Sequence, residues 1–318
     1  MDASVIRTTA IVKSYGDLPV LRNLDLEVRQ GEIYGFLGPN GSGKSTTIMV
    51  LLGVEKPDAG TCELFGQPVD RGGRDLRRRV GLVPEHQYLY QEMTAWEYLA
   101  LFARLHQVCE AWQTIERWLE VAGLAERRGV RIANLSNGQR QKLSIVRALI
   151  HDPELLILDE PVQGLDPMSV RDLRNLIRII NQEGKTIVLS SHVLSEVEKT
   201  AHRVGILHGG RILVEDSTDR LSKRLGPGLE FRIEIAGLSS QIVDTLSAQP
   251  FIDSIRQQGS VLIIRVSGPD DHRLSISRII TEHGGHVIGW QQTAFSLEDA
   301  FFALTEAGSS PDELRANP

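Results

Sequence analysis

Two hydrophobic rhythms alternate along residues 5–220. One consists of short, nearly unbroken apolar runs: Ile33–Leu37, Val80–Val83, Leu155–Leu158, Thr186–Ser190 and Val204–Leu207. Runs of that length are what strands covered on both faces require, and such strands belong to parallel sheets flanked by helices. The other rhythm places apolar residues three and four apart and predicts amphipathic helices between the runs. Together they predict an α/β layer fold with a largely parallel sheet. From Met93 to Ile150 the strand rhythm disappears, so a helical insert, about residues 86–150, is expected within the α/β domain. Thr94-Ala-Trp-Glu97 has the spacing of a capping box, in which each of the two side chains bonds the other residue's backbone amide.

The pattern changes at Gly226-Pro227-Gly228, which reads as a linker. Beyond it, Leu229–Ala236 alternates like a strand and Ser239–Ala248 has helical spacing. Ile252–Arg256 and Val261–Val266 flank Gln258-Gly259 as a hairpin would, His272–His283 is helical, and His286–Gln292 is extended. A final helix is predicted over Leu297–Thr305. This order, βαββαβ plus a helix, predicts a small α+β domain of the split-βαβ kind. The expected division is therefore 1–222 for the first domain, 223–228 for a linker, 229–307 for the second and 308–318 for a disordered tail.

Composition narrows the classes of function. The formal net charge is −6 and the pI about 5.9, which argues against a sequence-independent grip on DNA or RNA; no nucleic acid partner is expected. Cys62 and Cys109 form no metal or disulfide spacing and are expected to be reduced packing residues. Met1–Thr9 lacks the apolar core of a signal peptide, and no run approaches the length of a membrane span. Any membrane role is therefore expected from the water side, through a partner.

The strongest chemical signal is Gly38-Pro-Asn-Gly-Ser-Gly-Lys-Ser-Thr46, set between the strand Ile33–Leu37 and a helix ending near Gly53. This is a phosphate loop in its required context. Gly38, Asn40, Gly41, Ser42 and Gly43 let successive amides converge on one point, and the helix adds its positive end. Lys44 would reach the β- and γ-phosphates, Ser45 would ligate Mg²⁺ and Thr46 would support the α-phosphate. Leu155-Leu-Ile-Leu-Asp-Glu160 is an apolar strand ending in two acids; Asp159 suits Mg²⁺, and Glu160 suits polarising the attacking water.

Four further segments give the loop a family. Leu135-Ser-Asn-Gly-Gln139 stands before a helix, Gly164-Leu-Asp-Pro167 follows the acids, Ser190-Ser-His192 ends a strand, and Lys13-Ser-Tyr-Gly16 lies near the start. Any one alone could be an N-cap or an ordinary surface residue. In this order, over about residues 5–220, they resemble the ATP-binding cassette (ABC) family. The resemblance implies a P-loop ATPase cassette acting as a dimer with a second ATP-binding subunit. Ser136, Gly138 and Gln139 of one subunit would then contact the γ-phosphate held by the other. Asp166 would sit at the subunit boundary, His192 would sense the γ-phosphate and orient Glu160, and Tyr15 would stack on adenine. Asn137 departs from the family's glycine; since Asn tolerates left-handed backbone, the turn is expected to survive. Where the family has a glutamine that contacts Mg²⁺, this chain has Glu85, a hard oxygen ligand of extra charge, with Gln87 as a rival.

The tail Phe295–Thr305 resembles the end of the drug, antibiotic and sodium exporter branch. That resemblance implies an ATPase using ATP and Mg²⁺ at the cytoplasmic face of the membrane, powering export through separate multi-span permease subunits. The alternative is a soluble ABC-type ATPase not tied to transport. His283-Gly-Gly-His286 lacks the further ligands of a metal site and reads as a turn. Tyr88, Tyr90, Trp96, Tyr98 and Phe102 are either core of the insert or the lining of a groove for a partner's helix.

Overall fold

The computed structural model describes residues 4–218, 220–221, 228–267 and 272–294. The expected helix Leu297–Thr305, the tail 308–318 and all of the linker except Gly228 lie outside the described residues. The chain divides into two compact units after Ser217.

The first unit opens with a feature absent from the sequence expectation. Strands β1 (Ser4–Tyr15) and β2 (Leu18–Arg29) pair antiparallel, and β4 (Ala59–Leu64) and β5 (Gln67–Pro68) extend them into a sheet of order β2-β1-β4-β5. Its alternation is hard to read because the β1–β2 register shifts four times and because Ala10 and Asn23 take left-handed φ values of 48° and 53°. Each bulge moves the following side chains to the other face and erases the two-residue period.

The second sheet is the expected one. Strand β3 (Ile33–Leu37) lies at its middle, with β6 (Val80–Val83), β7 (Leu155–Asp159), β8 (Thr186–Ser191), β9 (Arg203–His208) and β10 (Arg211–Ser217). Its order is β10-β9-β3-β8-β7-β6, parallel throughout except for the antiparallel edge strand β10. Every residue of β3, β7 and β8 is buried, as continuous apolar runs require. Helix α1 (Lys44–Leu51) packs in the core that both sheets share: Ile6, Leu24, Ile48, Leu51, Phe36 and Ile157 belong to one cluster.

A short helix α2 (Gly73–Arg78) precedes β6. The insert consists of α3 (Ala95–Leu105), α4 (Ala111–Val121) and α5 (Asn137–Leu149). The capping box at Thr94 is formed: Glu97 N donates to Thr94 Oγ1 at 3.2 Å, and Thr94 N donates to Glu97 Oε2 at 2.8 Å. Helix α6 (Pro167–Gln182) buries Leu173, Leu176, Ile177 and Ile180, the spacing of a single stripe. The five-residue α7 (Leu194–Glu198) follows β8. Cys62 is buried and its thiol is pushed up to about 12 by burial. Cys109, expected to pack, is instead exposed, because the α3–α4 connection turns outward through Gln107 and Glu110 at φ 57° and 54°.

At the opposite end of β3 from the phosphate loop, Arg203 stands among carboxylates. It donates to Glu32 Oε1 at 2.9 Å and to Glu215 Oε1 at 2.7 Å, with its own side chain only 18% exposed. Burial pushes the Glu215 carboxyl up against the pull of Arg203. Removing one member of such a cluster leaves the others buried without counter-charge. Arg203→Met is expected to lower unfolding stability by about 3–5 kcal/mol, read from urea midpoints; a loss below about 1 kcal/mol would mean that solvent already screens the cluster.

In the second unit β11 (Gly228–Ala236), α8 (Ser240–Ser247), β12 (Ile252–Gln258), β13 (Val261–Ser267), α9 (Arg273–Glu282) and β14 (His286–Ala294) form an antiparallel sheet of order β12-β13-β11-β14. This is the split-βαβ arrangement. The β12–β13 hairpin turns at Gly259, whose φ of 62° suits glycine. Phe231, Ile233 and Ile264 of the sheet pack with Ile242 and Leu246 of α8 and with Ile276 and Ile280 of α9.

Candidate functional site

The parallel strands β3, β7 and β8 end side by side, and the residues that follow them converge there. After β3 the chain must curl tightly. A Cβ on Gly38 would lie 2.5 Å from the Leu207 carbonyl oxygen, and Gly41 and Gly43 take φ values of 79° and 109°. Glycine is required at these points. Asn40 is exposed at the tip, Thr46 is half-buried in the first turn of α1, and the buried Ser42 Oγ has no hydrogen-bond partner.

Lys44 Nζ donates to Gly38 O at 2.7 Å and lies 3.2 Å from Glu160 Oε1, both side chains being 6% exposed. That contact is one of charge without hydrogen-bond alignment, so Oε1 keeps its acceptor capacity. Glu160 has a φ of 46°, a left-handed value that a residue with a side chain adopts only when its surroundings impose it. Here Glu160 N donates to Ser190 Oγ at 2.9 Å, and Ser190 Oγ in turn donates to Asp159 Oδ1. Ser45 Oγ donates to Asp159 Oδ2 at 3.3 Å. His192 Nδ1 stands 2.9 Å from Glu160 Oε2; a carboxylate only accepts, so Nδ1 carries the proton and Nε2 is left for a second bond.

The structure thus brings Lys44, Ser45, Asp159, Glu160 and His192 together. It adds Ser190, which sequence reasoning passed over as part of the strand. The available signal was a pair of hydroxyl residues, Ser190 and Ser191, ending an otherwise apolar buried run. Burial is the largest influence on Asp159 and holds its carboxyl above the usual range. The Ser190 and Ser45 hydroxyls oppose the rise, and the charges of Glu160 and Glu85 reinforce it. A buried carboxylate beside a hydroxyl, under negative charge, is a hard-oxygen set suited to a divalent cation.

Glu85 is exposed and lies within electrostatic reach of Asp159. Gln87 is engaged elsewhere: its Nε2 donates to Gln141 Oε1 at 2.6 Å, and its Oε1 accepts from Ser144 Oγ, both on α5. Tyr15 is 45% exposed, with Lys13 Nζ 5.4 Å from its ring centroid.

Ser136, Gly138 and Gln139 stand apart from this cluster; among the described residues no hydrogen bond or ion pair joins them to residues 38–46. Ser136 caps α5, accepting from Gln139 N at 3.2 Å, while Gln139 Oε1 accepts from Ser136 N at 3.0 Å. Gly138 is required by contact, since a Cβ there would lie 2.3 Å from Ser169 Oγ on α6. Asn137 needs no left-handed tolerance, contrary to expectation. It is the first helical residue of α5, lies outside the positive-φ set and accepts from Arg140. Asp166 caps α6 through Met168 N and Ser169 N, both at 3.0 Å.

Residues 21–163 match the ABC transporter family. The chain is 37% identical over 312 residues to the bacitracin transport ATP-binding protein BcrA of Bacillus licheniformis, covering 96% of this chain and 99% of that one. It is 34% identical over 308 residues to the Nod factor export ATP-binding protein I of Rhizobium sp. (strain N33), covering 96% and 98%. Among solved structures, an ATP-binding subunit of an ABC transporter superposes at a TM-score of 0.63 with 31% identity, covering 69% of this chain and 92% of the other. An ATP-binding cassette of an ABC transporter in its ADP conformation superposes at 0.63 with 25% identity, covering 67% and 91%. A phosphate loop at the end of a central parallel strand, two buried acids beside it and kinship along almost the whole chain agree. The chain belongs to the ABC transporter family, as one of its ATP-binding, ATP-hydrolysing subunits.

Proposed function

We propose that this chain powers export through separate membrane-spanning permease subunits, working as a dimer with a second ATP-binding subunit at the cytoplasmic face of the membrane. The observation that carries the reading is the split between two sets of residues. Lys44, Ser45, Asp159, Glu160 and His192 form one cluster, whereas Ser136, Gly138 and Gln139 lie at the N-terminal turn of α5, with Ser136 exposed, and among the described residues no hydrogen bond or ion pair joins them to that cluster. Two subunits placed head to tail would complete each site with the other's α5 turn. The bacitracin transport and Nod factor export relatives support transport as the coupled process. No helix among the described residues is long and apolar enough to cross a membrane.

In this reading the backbone N–H groups of residues 40–46 and the Lys44 ammonium hold the β- and γ-phosphates. Lys44 leaves Glu160 to do so, since the two are paired at 3.2 Å in the chain by itself. Glu160 Oε1, buried without a hydrogen bond, then accepts a proton from the attacking water. His192 holds Glu160 through Nδ1 and meets the γ-phosphate through Nε2, which donates there as N–H when both ring nitrogens carry protons. Ser45, Asp159 and Glu85 would hold Mg²⁺, which neutralises charge on the phosphates when bound. Tyr15 stacks on adenine, and Asp166 faces the partner subunit.

The membrane partner docks on the insert. The aromatic residues divide there: Tyr98 is 1% exposed and belongs to the core, whereas Tyr88 and Tyr90 are 92% and 54% exposed. Trp96 and Trp112 meet edge to face at 6.0 Å and line an open cavity of about 410 Å³ with Arg128. Such amphipathic aromatic surfaces favour a docked helix. Tyr90→Ala and Trp96→Ala are expected to abolish transport by the assembled complex while the isolated chain keeps its ATPase rate; normal transport would place docking elsewhere.

The exporter reading itself is tested by copurification in detergent. The tagged chain is expected to bring down a multi-span membrane protein, and that complex in lipid vesicles to move substrate outward at the expense of ATP. A chain that sediments with ribosomes or DNA and captures no membrane protein would favour the soluble alternative.

The second unit is proposed to be dispensable for nucleotide binding. A chain ending at Leu225 should bind labelled ATP with unchanged affinity; an insoluble or ATP-blind product would contradict this.

A further inference from the structure

His192 holds Glu160; among the described residues no other hydrogen bond holds the His192 ring. Its ring is 39% exposed on the side-chain scale, and it sits between the end of β8 and the five-residue α7. The bonds within its own turn are short-range: Ser191 Oγ accepts from Val193 N at 3.0 Å. A small pocket of about 20 Å³, room for one water, lies among Pro161 and Val162 of the loop after Glu160 and Ser191, Val197 and Thr200 of the segment around His192.

Two bonds among the described residues join α6 to α7. Arg174, on α6, reaches Glu196, on α7, at 2.5 Å, the two side chains being 19% and 22% exposed. Both residues also line the cavity. One turn along α6, Arg178 donates to the Lys199 carbonyl at the end of α7. Helix α6 is a stiff element of sixteen residues whose start is fixed by the Asp166 cap and whose stripe is buried. A mostly buried arginine–carboxylate pair is strong and directional where an exposed one is weak.

We infer that Arg174 is the positioning residue that sets His192 against Glu160, by tying α7 to α6 through Glu196. The inference rests on the roles proposed for His192 and Glu160. It also gives the Asp166 end of α6, the face assigned to the partner subunit, a rigid connection to the histidine of its own site.

The test is a double-mutant cycle on the full-length chain. Arg174→Gln and the conservative Arg174→Lys are each measured alone and together with His192→Ala. Arg174→Gln is expected to lower kcat about tenfold. The KM for MgATP and the affinity for a labelled non-hydrolysable ATP analogue should stay within about twofold, since no phosphate contact is lost. Arg174→Lys should recover part of kcat, because it keeps the charge that pairs with Glu196 but not the planar guanidinium. With His192 already replaced, adding Arg174→Gln should change the remaining rate by less than about twofold. A wild-type kcat for Arg174→Gln, or the same tenfold loss in both backgrounds, overturns the inference. If His192→Ala alone runs at the wild-type rate, the proposed role of His192 fails and this inference with it; a slow His192→Ala beside a fast Arg174→Gln removes only the inference. Should Arg174→Gln not fold, Glu196→Gln, which keeps the size and one hydrogen-bond acceptor, carries the same cycle with the same outcomes.

Discussion

Glu160→Gln is expected to bind ATP at least as tightly as the native chain while losing turnover by about 10²- to 10⁴-fold, the contribution of a positioned proton acceptor. The carboxamide keeps size and shape, so His192 and the left-handed backbone at Glu160 have no reason to move. What changes is charge. In the native chain Glu160 draws the Lys44 ammonium to 3.2 Å, and ATP must take that lysine away. Without the charge, Lys44 has no anion to leave, only its bond to the Gly38 carbonyl, and the affinity for ATP should rise rather than fall. The bound ATP then persists and holds two subunits together. Equilibrium binding of a labelled ATP and steady-state phosphate release check both halves. Hydrolysis within about threefold of native would remove Glu160 from the role of base.

Lys44→Ala acts on the same pair from the other side, and its expected signature is opposite. The loss of a cation bonded to phosphate costs about 1.5–3 kcal/mol, roughly 10- to 100-fold in affinity. The substitution also strands Glu160, a buried carboxylate whose one ion-pairing cation is Lys44, the only other charge partner described being His192. The variant without nucleotide should therefore be less stable by about 1–3 kcal/mol. Adding Glu160→Gln to Lys44→Ala should restore most of that stability without restoring affinity. Unchanged affinity for labelled ATP would contradict the assignment of the loop.

Features resting on neighbours in the chain were legible before the fold. The phosphate loop is contiguous because successive amides must face one point, so Gly38–Thr46 announces itself. The capping box at Thr94 and the caps at Ser136 and Asp166 are set by spacings of two or three residues, and the structure completes a second box between Ser136 and Gln139. The buried strands β3 and β6 run over the residues their apolar runs predict. Long-range features were not legible. The antiparallel ribbon β1–β2 hid behind its bulges at Ala10 and Asn23. Ser190, which braces both acids, looks like any strand residue until β7 and β8 are side by side. The contact of Lys44 with Glu160, and the hydrogen-bonded ion pair of Arg174 with Glu196, join residues far apart in sequence. Asn137 misled in the other direction: a rule about left-handed backbone was applied to a position that is plainly helical.

Complementation between two inactive chains tests the central claim, that each ATP site is completed by the second subunit. Lys44→Ala inactivates the phosphate loop, and Ser136→Arg obstructs the exposed turn of α5. Neither chain alone should hydrolyse ATP. Mixed, they form dimers in which the intact loop of the Ser136→Arg chain faces the intact α5 turn of the Lys44→Ala chain, so the mixture is predicted to regain a substantial fraction of native ATPase activity. A mixture no more active than the sum of its parts, with mixed dimers shown to form, would contradict the shared site.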